Sequence, residues 1–214
     1  MTRGEVWLYG SSARGDTDAL SDTDVLLVGE VTRTAPELRL LSRRPVSLVE
    51  YSWQEIENMA AYGSLFLHHV KLEGKRLTFG APSRLAAILE SLPTYGRAEQ
   101  EIEAFERVVA DVEKSIRADH SPAFELSVLA TSLRHAAILG SYLLGTPTFG
   151  REAPFLLYER RFGPEGAARD FAQLYRFRMA GDGRGTVPFD ATSEDVVASL
   201  EKVRIVLHNV RGLL

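Results

Sequence analysis

The chain has 214 residues, 45% of them hydrophobic, which suits one compact unit or two small domains packed together. Its 29 acidic and 25 basic side chains leave a net charge of -4, which argues against a broad, non-specific nucleic-acid surface but allows a local basic groove. Cysteine is absent, which excludes disulfides and thiolate metal sites, and no apolar run reaches the roughly 18–20 residues of a membrane span.

In chain order, Met1 to Glu5 ends on an acidic residue and leads straight into Val6-Trp7-Leu8-Tyr9. That is a poor fit to a secretory signal, so the cytoplasm is the expected compartment. Val6–Tyr9 reads as a short strand that enters a small-residue turn, Gly10-Ser11-Ser12-Ala13-Arg14-Gly15. Val25-Leu26-Leu27-Val28, ended by Gly29, is a continuous apolar run of the kind found in a strand covered on both faces. Val46–Tyr51, released by Pro45, predicts a third strand. Ser52 ahead of Glu55 is a capping pair that opens a helix over Trp53–Tyr62. An apolar helix follows through Ser64–Val70 and ends at Glu73-Gly74-Lys75.

From about residue 83 the texture changes to helices. Ile102, Phe105, Val109, Val112 and Ile116 fall at helical spacing, and Leu126, Leu129, Leu133, Ala137 and Gly140 make a second stripe. Phe171, Leu174 and Tyr175 suggest a third helix after Gly163-Pro164. Thr192 and Asp195 start a fourth, with Val196, Leu200, Val203, Leu207 and Val210 on its apolar face. The expected architecture is an α/β (α+β) domain with a small mixed sheet over residues 1–82, then an all-α helical bundle over 83–214. There is no internal repeat.

The chemistry concentrates between residues 8 and 28. Asp22 and Asp24 stand two apart at the mouth of a strand, so their carboxylates point to one face. Such a pair repels itself unless a cation sits between the two, and hard oxygen ligands select magnesium, which would also bridge nucleotide phosphates. The backbone N–H groups and the Ser11 hydroxyl at the Gly10-Ser11 turn would form an anion pocket for the β- and γ-phosphates.

Strand, Gly10-Ser11, ten intervening residues, then Asp22-Thr23-Asp24 entering an apolar strand resembles the polymerase-β-like nucleotidyltransferase superfamily, and within it the minimal nucleotidyltransferases. Ala13-Arg14-Gly15, Ser21 and the later Glu73-Gly74-Lys75 fit the same pattern, so the resemblance spans roughly residues 5–80. It implies Mg2+, a nucleoside triphosphate donor with ATP the expected one, attack on the α-phosphorus and loss of pyrophosphate. It also implies a third acid on the later strand, where Ser47 stands at the expected position. Glu50, three residues on, turns to the opposite face of a regular strand unless a bulge brings it back; otherwise it is a solvated strand-end carboxylate.

Other charged residues have plainer readings. Arg14 either steadies the triphosphate or is an exposed loop arginine. Arg33, Arg39, Arg43 and Arg44 either form a basic lip or a solvated face, and Lys71, Lys75 and Arg76 have the same status. His68 and His69 point about 100° apart on a helix and read as packing residues. In the helical half, Arg134-His135, Arg117–His120 and Arg204–His208 lack the arginine–histidine spacing of the RNase-type helical domains that often accompany minimal nucleotidyltransferases. Tyr175, Arg176 and Arg178 are candidates for an acceptor-binding wall.

The expected activity is transfer of AMP from ATP to a hydroxyl of a small molecule or a protein. Gly10, Ser11 and Arg14 would bind nucleotide, Asp22 and Asp24 would hold metal, and Glu50 is the candidate third carboxylate. The helical half is expected to bind the acceptor or to form a homodimer, and neither nucleic acid nor membrane is an expected partner. The competing expectation is a degenerate domain of the same fold that binds nucleotide, or acts as a scaffold, without catalysis.

Overall fold

The computed structural model describes residues 4–31, 45–78, 80–118 and 121–214. The chain divides into two compact units, one reaching to Gly96 and the other running from Arg97 to Leu214. The first holds β1 (Glu5–Tyr9), α1 (Gly10–Arg14), β2 (Thr23–Val28), β3 (Val46–Tyr51), α2 (Trp53–Ala61), α3 (Leu65–Glu73), β4 (Lys75–Arg76) and α4 (Arg84–Glu90). The sheet order is β3-β2-β1-β4, with β2 antiparallel to β1 and parallel to β3, and β4 antiparallel to β1. This is the small mixed sheet that the sequence implies.

Each face of the sheet has its own core. On one, Trp7, Tyr9, Leu26 and Val28 pack with Ile56 of α2, Leu67 and Val70 of α3, and Leu85 and Leu89 of α4. On the other, Val6, Val25 and Leu27 gather Leu8, Val31, Leu48 and Leu77. Four consecutive buried residues in β2, Val25 to Val28, follow from this, since the strand has apolar surface to cover on both sides. The sequence places the change of texture at residue 82, whereas Leu85 and Leu89 complete the first unit's core.

Local signals set several boundaries. Ser52 and Glu55 form the reciprocal capping box at the start of α2, with the Glu55 N–H donating to the Ser52 hydroxyl at 3.2 Å. The start of α4 is held from a distance. Glu5, only 3% exposed, accepts from the Ser83 hydroxyl at 2.6 Å, the Arg84 N–H at 2.7 Å and the Trp7 indole at 2.9 Å. A buried carboxylate is tolerable only when its oxygens are so engaged, and the N-terminal turn of a helix favours an anion.

The second unit is all-helical: α5 (Ala98–Ser115), α6 (Pro122–Leu143), α7 (Ala153–Phe162), α8 (Ala167–Gly181) and α9 (Ser193–Arg211). The sequence reading gives four helices here; α7 is the addition. It starts with Pro154 in its first turn and buries Pro154, Phe155 and Tyr158. The second stripe lies on α6, whose Leu126, Leu129, Leu133, Ala137 and Gly140 are all buried, and α9 opens with the Thr192–Asp195 capping box. Among the described residues, no helix is long and apolar enough to cross a membrane.

Candidate active site

The site begins where β1 ends. Tyr9 pairs with Asp24 across the antiparallel ladder, so the two side chains share a face. At the next residue the chain turns into α1 with Gly10 at φ 67°. A Cβ on Gly10 would lie 2.4 Å from Oδ2 of Asp24. Glycine is therefore required twice, by the left-handed backbone and by the carboxylate that fills the space a side chain would need.

α1 has only five residues and no side-chain cap at its start, and it closes at Gly15 in the left-handed conformation. The N–H groups of Gly15 and Asp16 return to the Ser11 carbonyl at 2.9 and 3.2 Å. The Ser12 hydroxyl donates to the Asp22 carbonyl at 3.2 Å, which ties the turn to the acidic residues. Ahead of Asp22, the Ser21 hydroxyl donates to Asp18 at 2.9 Å and accepts the Asp18 N–H at 3.0 Å, fixing the approach to β2.

Asp22 and Asp24 are both half-buried. Both act on the Tyr9 phenol, whose pKa is pushed well up by burial first and then by Asp24, Tyr51 and Asp22. Tyr9 is thus held as a neutral hydroxyl beside two carboxylates. Among the described residues, no group of three or more His, Asp or Glu side chains gathers as a metal set. Two carboxylates fit magnesium, which is commonly bound by one or two carboxylates together with substrate phosphates and water.

β3 decides the third position. Its parallel ladder with β2 runs in unbroken register from Thr23↔Val46 to Val28↔Tyr51, and Asp24 is opposite Ser47. Glu50 is opposite Leu27, on the other face of the sheet, and exposed. The bulge that would turn Glu50 toward the acidic pair is absent, so Glu50 does not join this site; Ser47 stands beside Asp24 instead.

Arg14 is engaged by protein carboxylates, with Asp16 at 2.9 Å and Glu73 at 2.5 Å. Glu73 also meets His69 Nε2 at 2.8 Å, and the His69 ring stands edge-on to Tyr9 with centroids 5.4 Å apart. Burial alone would raise the Glu73 carboxyl, but His69 and Arg14 outweigh it and hold the group below the usual carboxylate range. His68 is turned away to the Pro93 carbonyl at 3.1 Å. In the sequence Glu73 stands only as part of a helix-end motif; its link to Arg14 is not visible there, since 59 residues separate the partners.

Arg33, Arg39, Arg43, Arg44 and His120 lie outside the described residues. Lys71 donates to the Glu90 carbonyl at 3.4 Å and Arg76 to the Ala81 carbonyl at 2.7 Å, so both are tied to their own unit's frame. In the second unit, Arg134 donates to the Phe149 carbonyl at 2.7 Å and lies over the Tyr175 ring, while Arg178 pairs with Asp182. The His135 imidazole is pushed down to about 4 by the packing around it, then by Arg134 and Arg178. Tyr175 and Arg178 are engaged inside their own helical unit, and Arg176 is exposed.

The first unit thus combines a small mixed sheet, a glycine turn after its first strand and two carboxylates at the mouth of the next. Residues 2–66 match the family described as the nucleotidyltransferase domain, and no curated protein matches the chain. Over those residues the first unit is similar to a nucleotidyltransferase domain, consistent with the polymerase-β-like superfamily, and a helical unit follows it.

Proposed function

We propose that the protein transfers AMP from ATP to a hydroxyl of a small molecule or a protein, at the mouth formed by Gly10, Ser11, Asp22 and Asp24. The observation that carries this reading is the contact between turn and acid: Asp24 Oδ2 lies 2.4 Å from where a Gly10 side chain would begin. A triphosphate seated on the turn is therefore next to the carboxylates by construction. Magnesium, which Asp22 and Asp24 would hold, would supply neutralisation of the phosphate charge. Ser11 and the uncapped start of α1 orient the phosphates, and Asp22 and Asp24 hold the cation. The helical unit is assigned to acceptor recognition or self-association, and the cytoplasm is the proposed setting.

The test is incubation with magnesium, α-labelled ATP, GTP, CTP or UTP and a panel of acceptors, with Asp22→Asn and Asp24→Asn in parallel. Absence of magnesium-dependent triphosphate binding, or turnover unchanged by both substitutions, would sink the reading.

Ser47 favours a second reading, in which the domain binds nucleotide without turning it over. A serine beside Asp24 supplies no carboxylate to take the acceptor's proton. Ser47→Asp places an acid in register with Asp24. If proton removal limits turnover, that variant should gain roughly 10²-fold in rate. A non-catalytic wild type that gains transfer activity in Ser47→Asp would establish the second reading.

A further inference from the structure

α1 is too short to hold its own geometry. A single turn of helix fixes several dihedrals for very few hydrogen bonds and is unstable alone. Its placement must come from contacts made by its side chains. Ala13 is buried against the fold, and Ser12 reaches the Asp22 carbonyl at 3.2 Å. Among the described residues, Arg14 adds a tie to another helix.

Arg14 has two carboxylate partners with different leverage. Asp16 is two residues away, with its side chain 58% exposed, and travels with the same turn, so it cannot fix that turn against the sheet. Glu73 has a side chain only 12% exposed and belongs to another helix. Its backbone is itself anchored. Gly74, which follows it, bonds to the Val70 carbonyl at 2.7 Å, and Lys75-Arg76 then pair with β1 as strand β4. One oxygen of Glu73, Oε2, meets both Arg14 at 2.5 Å and His69 at 2.8 Å. His69 in turn packs edge-on against Tyr9, the residue before Gly10 and the ladder partner of Asp24. The carboxylate thus closes a ring of contacts, Tyr9–His69–Glu73–Arg14, around the turn.

We propose that Glu73 is a positioning residue for nucleotide binding: through Arg14 and His69 it sets the Gly10-Ser11 turn against Asp24, and Arg14 acts through Glu73 rather than as a phosphate ligand. This rests on the assignment of the triphosphate to that turn. A charge that serves as a clamp leaves a different energetic signature from one that touches the ligand. Removing either end of a clamp breaks the same interaction, so the second removal adds nothing.

The experiment is a double-mutant cycle on magnesium–ATP binding with Arg14→Gln, Glu73→Gln and the double variant, read beside amide hydrogen exchange over residues 10–16. Each single variant should weaken ATP binding about tenfold, as expected for a small misplacement of binding groups, and the double variant should bind no worse than Glu73→Gln alone, since that variant already releases Arg14 as well as His69. Exchange at Gly15 and Asp16 should speed up in Glu73→Gln. Weakened binding in Arg14→Gln with unchanged or tighter binding in Glu73→Gln would make Arg14 a direct phosphate ligand and overturn the proposal. Additive losses would overturn it too. If the wild-type protein binds no triphosphate, the functional reading fails, and the exchange rates alone decide whether Glu73 holds the turn.

Discussion

One face of the first unit's sheet carries a carboxylate at each end, and the two are treated in opposite ways. Glu5, opposite Val28, is closed in: the Trp7 indole, the Ser83 hydroxyl and the Arg84 N–H all donate to it. Asp24, opposite Tyr9, keeps contact with solvent and has Asp22 two residues away and a glycine where a side chain would crowd it. A carboxylate saturated by buried donors stabilises a fold and has little capacity left for a ligand. A half-open pair can exchange water for metal and phosphate.

The sharpest way to break this comparison is to neutralise each end in turn. Asp24→Asn should lower magnesium-dependent transfer by about 10²–10³-fold, in the range found when one preorganised electrostatic group is removed. Its urea midpoint should fall by less than that of Glu5→Gln, because Asp24 is half-buried and Glu5 is buried. Glu5→Gln should do the reverse. It puts amide hydrogens against donors, and should cost about 3 kcal/mol of stability while leaving activity per folded molecule intact. Equal stability losses in both variants would erase the distinction.

Gly10→Ala comes next in size and joins the two properties. The added Cβ meets Asp24 Oδ2 at 2.4 Å on a backbone that alanine adopts only with strain. A loss of about 1–3 kcal/mol in urea unfolding is expected, together with weaker magnesium–ATP binding. Lost stability with unchanged binding would mean that the turn can move away from Asp24 without harm to the site.

The open end was legible in the sequence because its signals are local. Gly10-Ser11 and Asp22-Thr23-Asp24 lie within 15 residues, and strand periodicity alone sets the parity of Asp24 against its neighbours. Ser52–Glu55 and Thr192–Asp195 were equally readable, since a capping box spans one helical turn. The closed end was not readable. Glu5 finds Ser83 and Arg84 nearly 80 residues away, and Arg14 finds Glu73 at a separation of 59. Pairings at such distance depend on how the strands order. Glu50 shows the same limit from the other side, since only the ladder with β2 could decide whether a bulge turned it inward. α7 escaped because its buried residues, Pro154, Phe155 and Tyr158, make too short a stripe to stand out from the loops around them.

The smallest expected effect is acid sensitivity at the open end, and its sign follows from Glu73. His69 and Arg14 hold that carboxyl below its ordinary value of 4.5 in the folded protein. A group depressed on folding contributes stability above its unfolded pKa and loses it as pH falls through the folded one, because the unfolded chain then binds the proton first. Wild type should therefore lose more stability than Glu73→Gln when urea unfolding is compared at pH 6 and at progressively lower pH below about 4.5. The difference should be under about 1 kcal/mol, since part of the network is exposed to solvent. Tryptophan fluorescence is the suitable readout. Both tryptophans, Trp7 and Trp53, lie in the first unit, so the helical unit does not contribute to the signal. A wild type and variant that lose stability in parallel over this range would show that Glu73 keeps its ordinary titration, and that the clamp at the open end is held by packing of His69 on Tyr9 rather than by charge.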